Sequence, residues 1–224
     1  MALVIERRFR GPEDSGNGGY SAGLFARAFG GFDVEVTLRL PPPLGTPLDL
    51  DADGSVRHGE AVVAEVRPGN IPIAPPARVS WNEAVTAQAP DLDSPFPQCF
   101  VCGHARGDDG LHIHAGPVEG RGVHAAPWTV RGETVGPEFV WAALDCPGAY
   151  ATGAMGRGTV VLGQLTARVD RVPGPGEECV VVGWSLGSEG RKHAAGTALF
   201  TGSGELLGLA RALWIEPRMN TTDR

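Results

Sequence analysis

Two related stretches decide the fold prediction: GNGGYSAGLFARAFGG at 16–31 and GPEFVWAALDCPGAYATG at 136–153. Each begins with glycine and continues as an apolar segment with the length of a short helix. Aligned on their first residues, the two are complementary rather than identical, because Gly19 lies opposite Phe139 and Phe25 lies opposite Asp145. The first stretch therefore offers bare backbone at the start of a helix, and the second offers a lone carboxylate.

The pair Gly18-Gly19 follows Asn17, which is a favourable N-cap residue. Glycines that open a helix leave N–H groups unscreened at the positive end of the helix dipole, where an oxygen that gains negative charge is stabilised. The alternative is a turn before a capped helix with no chemical role. Asn17 would orient the carbonyl group of a substrate.

Asp145 follows the apolar run Phe139–Leu144, which has the composition of a buried helix. Burying a charge in such surroundings destabilises the fold unless the charge is paired, is solvated in a cleft or has a functional role. The alternative is a helix-terminal aspartate, since Pro147 breaks the helix two residues later. A backbone anion site and a carboxylate base, divided between two halves, together predict hydrolysis of an acyl ester.

The composition is that of a globular protein without spanning segments. The 224 residues are 42% hydrophobic and 20% charged, and no apolar run has the roughly 20 residues that a transmembrane helix needs. A net charge of −7 argues against a nucleic-acid partner. The short apolar start is not typical of a signal peptide, which predicts a cytoplasmic protein with no membrane partner.

The order of predicted elements occurs twice. In the first half a helix precedes a strand at 34–40 and a strand pair at 48–50 and 61–66, joined through the turn at 51–54. In the second half a helix from about Phe139 precedes strands at 160–169, 179–186, 194–201 and 206–215. This pattern predicts an α+β tandem repeat.

The domain boundary is predicted inside a proline-rich stretch at 67–98, with a helix over 80–89. The N-terminal domain then covers 1–90, with its linker from about residue 67, and the C-terminal domain covers 91–217. The polar tail at 218–224 is predicted to be disordered.

Cys99 and Cys102 form a Cys-x-x-Cys pair that is typical of zinc ligands. The histidines that follow do not form a second pair, and those at 112 and 114 alternate as in a strand. We therefore expect a turn that opens the second half, with no metal bound.

Arg191 and Lys192, in a turn flanked by glycine, are the best candidates for binding phosphate groups, with a solvated hairpin as the alternative. The sequence contains no phosphate-binding loop, no Gly-x-Ser-x-Gly turn and no HExxH zinc motif.

The segments Asn17–Tyr20, Trp141–Asp145 and Cys99–Gly103 resemble those of acyl-CoA thioesterases of the phenylacetyl-CoA thioesterase type, which belong to the hotdog superfamily. The resemblance continues through the strands at 163–169 and 190–215. It implies two tandem hotdog domains, each a central helix wrapped by a curled antiparallel sheet, which together form a pseudo-dimer. Asn17 stands where this family has histidine.

The resemblance implies one composite site in which Gly18 and Gly19 face Asp145, while the opposite pairing, with Phe25 in place of the acid, is inactive. Asp145 would act as general base, or as a nucleophile that forms an anhydride. Tyr20, Phe25 and Trp141 would line an acyl pocket between the helices.

Coenzyme A would enter only as part of the substrate, with no other cofactor, and the partner would be a small acyl-CoA or acyl-carrier thioester. The resemblance leaves room for a homo-oligomer of such chains. Two rival functions remain. The first is a non-catalytic acyl-CoA or acyl-carrier binding module, which the replacement of the family's histidine by Asn17 supports. The second is an (R)-specific enoyl-CoA hydratase or dehydratase, which needs a histidine near Asp145.

Overall fold

The computed structural model describes residues 2–89, 94–155 and 158–218. In this part of the chain the α-helices are α1 (Gly18–Phe29), α2 (Trp81–Ala87), α3 (Pro137–Ala143) and α4 (Cys146–Ala151). The strands are β1 (Leu3–Val4), β2 (Asp33–Leu38), β3 (Pro47–Leu50), β4 (Ser55–His58), β5 (Ala61–Pro68), β6 (Gly116–Val118), β7 (Val123–Thr129), β8 (Val161–Val169), β9 (Glu178–Glu189), β10 (Lys192–Thr201) and β11 (Leu206–Ile215).

All eleven strands form one antiparallel sheet in the order β1-β3-β4-β5-β2-β8-β11-β10-β9-β7-β6. The five strands of the N-terminal half lie side by side, as do the six strands of the C-terminal half. The halves meet where β2 pairs with β8, with Glu35 opposite Thr166. The predicted α+β class and its two tandem halves are confirmed by this arrangement.

Local sequence explains the start and end of α1. The side-chain oxygen of Asn17 accepts a hydrogen bond from the Tyr20 N–H at 2.8 Å, which caps the first turn. The helix ends before Gly30, whose φ of 81° lies in the left-handed region that glycine adopts without strain. The predicted cap at Asn17 is therefore confirmed.

Helices α1 and α3 pack directly against each other through glycine. A Cβ atom on Gly23 would lie 2.7 Å from the Cα atom of Glu138, so only glycine allows this approach. Beside the contact, Phe9 stacks on Tyr20 with ring centroids 3.9 Å apart, and Phe100 and Phe139 pack around this pair. The aromatic rings close the space between the helices.

The single helix predicted around Asp145 is wrong, because the chain breaks there into two. Helix α3 ends at Ala143, α4 begins at Cys146, and Asp145 occupies the position before α4. Pro147 fits the first turn of a new helix but would clash inside a continuous one. The Thr197 hydroxyl donates to the Leu144 carbonyl at 2.7 Å and secures the break.

Four strands were not predicted, namely β1, β4, β6 and β7, and one expected strand is absent. The segment around His112 forms no strand in the described structure, and His112 itself has a φ of 54°. Strand β7 contains Pro127, which cannot donate a ladder hydrogen bond and so obscures a strand in the sequence. Within β7, the three residues from Val123 to Ala125 pair with β6, and Pro127 lies beyond them. The backbone N–H that proline lacks would therefore have faced a side of β7 with no partner strand in the described structure.

The proline-rich segment contributes α2, whose first turn carries a capping box between Ser80 and Glu83. This helix packs on a smaller apolar cluster that includes Val180 and Val182, while Val181 points into the main core. Strand alternation thus places α2 on the opposite face of the sheet from the main core. The predicted boundary at 90/91 and nearly all of the predicted tail lie outside the described residues.

None of the helices in the described ranges is long and apolar enough to cross a membrane.

Candidate active site

A cavity of about 310 Å³ opens where the two halves meet. We call it the first cavity. Its walls come from the start of α1, the end of β2, the Cys99–Cys102 turn, the α3–α4 break and the neighbouring ends of β8 and β11. The lining residues are Gly11, Pro12, Ser15, Gly16, Asn17, Gly18, Leu38, Arg39, Leu40, Pro41, Pro42, Phe96, Cys99, Cys102, Asp145, Cys146, Met155, Val160, Val161, Leu162, Gly163, Trp214 and Ile215.

Asp145 lines this cavity and is held by groups from the other half of the chain. Its Oδ2 atom accepts a hydrogen bond from the Asn17 side-chain amide at 2.8 Å and another from the Gly19 backbone N–H at 3.0 Å. Its Oδ1 atom is buried and has no hydrogen-bond partner among the described residues. The carboxylate thus has one oxygen that is fixed and one that is free to accept a proton.

Burial changes the acidity of this carboxyl group. The side chain is 2% exposed, and loss of hydration raises the pKa of Asp145 from 3.8 to about 7. The Gly19 N–H and the Asn17 amide lower this pKa by stabilising the charged form, whereas Cys99 raises it. Such a value is what a group needs if it is to exchange protons near neutral pH.

The close approach of Gly19 to Asp145 leaves no room for a side chain. A Cβ atom on Gly19 would lie 2.5 Å from the Asp145 Cβ atom and 2.7 Å from the Trp141 carbonyl oxygen. The predicted meeting of Gly19 with Asp145 is therefore present in the structure. The Gly19 N–H is engaged by the carboxylate, however, and does not point at a substrate.

The Gly18 N–H is the remaining donor at the start of α1. As the first residue of the helix it has no intrahelical acceptor, and it donates to no other group of the described residues. Gly18 lines the first cavity, where Leu162 approaches so closely that a Cβ atom would be 2.9 Å away. Asn17, predicted to orient a substrate carbonyl, instead positions the carboxylate.

The three residues predicted to line an acyl pocket between the helices lie elsewhere. Phe25 is fully buried in the core, and Tyr20 belongs to the aromatic cluster. Trp141 packs against Gly23 and lines a different cavity. The helices touch because Gly23 of α1 lies directly against Glu138 and Trp141 of α3, and the first cavity opens at the helix ends instead.

Arg191 and Lys192 are exposed in the β9–β10 turn and line neither cavity. Lys192 pairs with Ile215, which does line the first cavity, so the turn lies at the same end of the sheet. The Arg191 guanidinium donates to the Glu216 carbonyl at 2.7 Å. Arg39, which sequence reasoning did not select, lines the first cavity and pairs with Glu65 at 2.6 Å.

The structure adds Cys146 to the Cys99-x-x-Cys102 pair. The three buried sulfur atoms lie within 4.8 Å of one another, and all three residues line the first cavity. None of the histidines in the described residues belongs to this group. A signal was available in the sequence, since Cys146 directly follows the candidate base, but 44 residues separate it from Cys102.

A second cavity of about 280 Å³ opens at the other end of the β2–β8 pair. It is lined by Gly23, Ala26, Arg27, Gly30, Gly31, Phe32, Val34, Pro137, Trp141, Val169, Asp170, Arg171 and Val172.

The sequence matches no protein-family model and no curated protein. Solved structures nevertheless resemble nearly the whole chain. A protein from Novosphingobium aromaticivorans, provisionally described as a thioesterase, is 16% identical with a TM-score of 0.60 over 97% of this chain and 95% of its own.

A Thermobifida fusca protein, provisionally described as a thioesterase II, is 12% identical with a TM-score of 0.62, covering 97% of this chain and 92% of its own. A conserved protein of unknown function with hot dog fold, from Alicyclobacillus acidocaldarius, is 12% identical with a TM-score of 0.61 over 98% of this chain and 93% of its own. The chain therefore has the hotdog fold, present as two tandem halves that share one sheet.

Proposed function

We propose that this chain hydrolyses an acyl-CoA or acyl-carrier thioester in the first cavity. The observation that carries the proposal is the Asp145 carboxylate, which Asn17 and Gly19 of the other half hold against the cavity while its Oδ1 atom stays without a partner. A buried base with one free oxygen beside an apolar cavity suits the activation of water. Two of the similar structures belong to proteins provisionally described as thioesterases.

The proposed reaction uses Gly18 and Asp145 on opposite sides of the thioester. The Gly18 N–H donates to the carbonyl oxygen, and Asp145 Oδ1 takes a proton from a water molecule that attacks the carbonyl carbon. The carbon–sulfur bond then breaks. The departing thiolate recovers the proton from Asp145, which leaves a carboxylic acid and a free thiol.

The walls of the first cavity suit a short acyl chain. Phe96, Met155, Val160 and Leu162 supply apolar surface, and a volume of about 310 Å³ is at the lower end for small-molecule sites. The nucleotide part of CoA would then remain outside, towards Arg39 and the turn with Arg191 and Lys192. These cations supply the local positive charge that a chain of net charge −7 needs in order to bind phosphates.

The rival hydratase reaction lacks support at this site. That chemistry needs a histidine beside the acid, and no histidine of the described residues lines the first cavity. One observation favours the binding-module alternative. The Gly19 N–H donates to Asp145, so the Gly18 N–H is the donor that remains for a thioester oxygen.

A panel of acyl-CoA thioesters with chains from acetyl to decanoyl, together with one enoyl-CoA, separates the three functions. We expect free CoA and the carboxylic acid to accumulate with multiple turnovers, as measured by chromatography. Binding of the acyl-CoA without product would instead identify a binding module, and conversion of the enoyl-CoA to a hydroxyacyl-CoA would identify a hydratase.

A further inference from the structure

We infer that Cys99, Cys102 and Cys146 form a binding site for one thiophilic metal ion, with Zn²⁺ as the ion whose geometry they fit. This goes beyond thioester hydrolysis and does not depend on it. It departs from the expectation of no metal, which considered histidines as the missing ligands and left Cys146 out.

The spacing of the sulfur atoms matches a shared ion. With zinc–sulfur bonds of about 2.3 Å, two thiolates of a tetrahedral site lie roughly 3.8 Å apart. The Cys99 and Cys146 sulfur atoms are 3.9 Å apart, and all three pairs are within 4.8 Å. A disulfide would require about 2.05 Å between two of the sulfurs and would leave the third without a role.

The Cys99 sulfur atom accepts a hydrogen bond from the other half of the chain. The donor is the Asn17 side-chain amide, whose nitrogen lies 3.7 Å from the sulfur. A neutral thiol is a weak acceptor, whereas a metal-bound thiolate carries a charge that an N–H donor stabilises. Asn17 thus supplies the outer contact that a metal-bound Cys99 thiolate would use.

The turn that carries the first two cysteines is tightly fixed. The Gly103 N–H donates to the Cys99 carbonyl at 2.9 Å, and a Cβ atom on Gly103 would lie 2.6 Å from the Cys99 backbone. The Val101 carbonyl accepts from the Ile113 N–H at 2.9 Å. Both sulfurs are thus presented by a rigid backbone before any ion binds, which lowers the entropy cost of binding.

All three cysteines are buried, and a metal ion would supply the positive charge that buried thiolates need. Binding would release the thiol protons and leave three thiolates around the ion. No other His, Cys, Asp or Glu of the described residues joins the group, so the fourth ligand would come from the cavity, as water.

The first experiment measures metal content in the full-length protein, purified from zinc-supplemented culture without chelators. We expect about one zinc ion per chain, the stoichiometry of a single site. Cys146→Ser should lower this content about fivefold or more. Cys179→Ala is the matched control, because Cys179 is a buried cysteine in β9 outside the group, and this variant should keep its zinc.

A second measurement uses the wild-type protein and so does not depend on the folding of a variant. Replacing zinc with Co²⁺ should produce the near-ultraviolet sulfur-to-cobalt absorption of three thiolates. The inference is overturned by protein that holds neither ion after incubation with it. It is equally overturned if the isolated protein contains a Cys99–Cys102 disulfide.

Metal content and hydrolysis give separate answers. Asp145→Asn should retain zinc whether or not it abolishes turnover. A zinc-loaded protein without hydrolysis would refute the proposed function alone, and a hydrolase without metal would refute the metal site alone.

Discussion

The two cavities lie at opposite ends of the central β2–β8 pair, and their chemistry differs. The first cavity takes its walls from the end of β2 and the start of β8, and the second from the start of β2 and the end of β8. Because β2 and β8 are antiparallel, these positions are equivalent in a duplicated fold. Only the first cavity contains a carboxylate that the opposite half holds through an amide and a backbone N–H.

The charged residues that line the second cavity are already paired with side chains outside its lining. Arg27 contacts Glu138 at 2.9 Å, and Arg171 contacts Glu177 at 2.6 Å. Phe25, which aligns with Asp145, is fully buried in the core. The tandem halves therefore keep the same scaffold at both ends of the sheet, but the acid is present at only one.

The strongest test of this asymmetry removes the charge of Asp145. We expect Asp145→Asn to lower kcat by about 10²–10⁴, the usual contribution of a general base, while the melting temperature changes little. The assay is release of free CoA under saturating acyl-CoA.

Asp170→Asn is the matched control, since Asp170 is the carboxylate that lines the second cavity. It should leave kcat unchanged. Equal losses in both variants, or full turnover in Asp145→Asn, would contradict the assignment of the base.

Gly19→Ala should give the next largest effect. Its Cβ atom would meet Asp145 at 2.5 Å and force the carboxylate to move, and a misplacement of about 1 Å costs roughly 10²-fold in rate. Overpacking of this kind also costs about 1–3 kcal/mol of stability.

Gly23→Ala separates the two effects, because its Cβ atom would meet Glu138 and Trp141 at 2.7 Å in the same helix contact but away from Asp145. Thermal denaturation should report a similar stability loss for both variants. If kcat per folded molecule falls equally in Gly23→Ala, the Gly19 effect is only structural.

Titration calorimetry with a non-hydrolysable acyl-CoA analogue should give one site per chain. Val161→Trp, which fills the first cavity, should weaken binding about tenfold or more through lost space for the acyl group. Val172→Trp fills the second cavity and should bind as the wild type does. Two equivalent sites would refute the asymmetry even though the fold stands.

The smallest expected effect concerns the turn outside the first cavity. Replacing both Arg191 and Lys192 with alanine should raise KM for acyl-CoA about two- to fivefold without changing kcat, as exposed cations contribute little each. The increase should shrink at high salt and vanish with a thioester substrate that lacks the nucleotide. An unchanged KM at low salt would remove these residues from CoA binding.

Much of the fold could be predicted because its signals are local. The alternation at 34–40 matches the observed β2, the four predicted C-terminal strands match β8–β11, and Asn17 caps α1 as its side-chain chemistry requires. Strand β7 was missed because Pro127 and the two alanines of the strand have low strand propensity. Its place in the sheet depends on pairing with β9.

The candidate site could be predicted in its members but not in their roles. The resemblance to hotdog thioesterases implied that Gly19 faces Asp145, and the structure places the two in contact. The resemblance could not reveal that the Gly19 N–H and the Asn17 amide would hold the carboxylate, because hydrogen-bond direction depends on positions within a few tenths of an ångström.

The two halves, the glycine-led helices and the single acid follow from the amino-acid sequence alone, since periodicity, caps and duplication depend on neighbouring residues. That α1 and α3 close against each other and leave the cavity at their ends follows instead from the packing of the whole fold. This packing also brings Cys146 to the Cys99 sulfur across 47 residues. Contacts between distant segments depend on how the whole sheet packs around its helices, which no local pattern encodes.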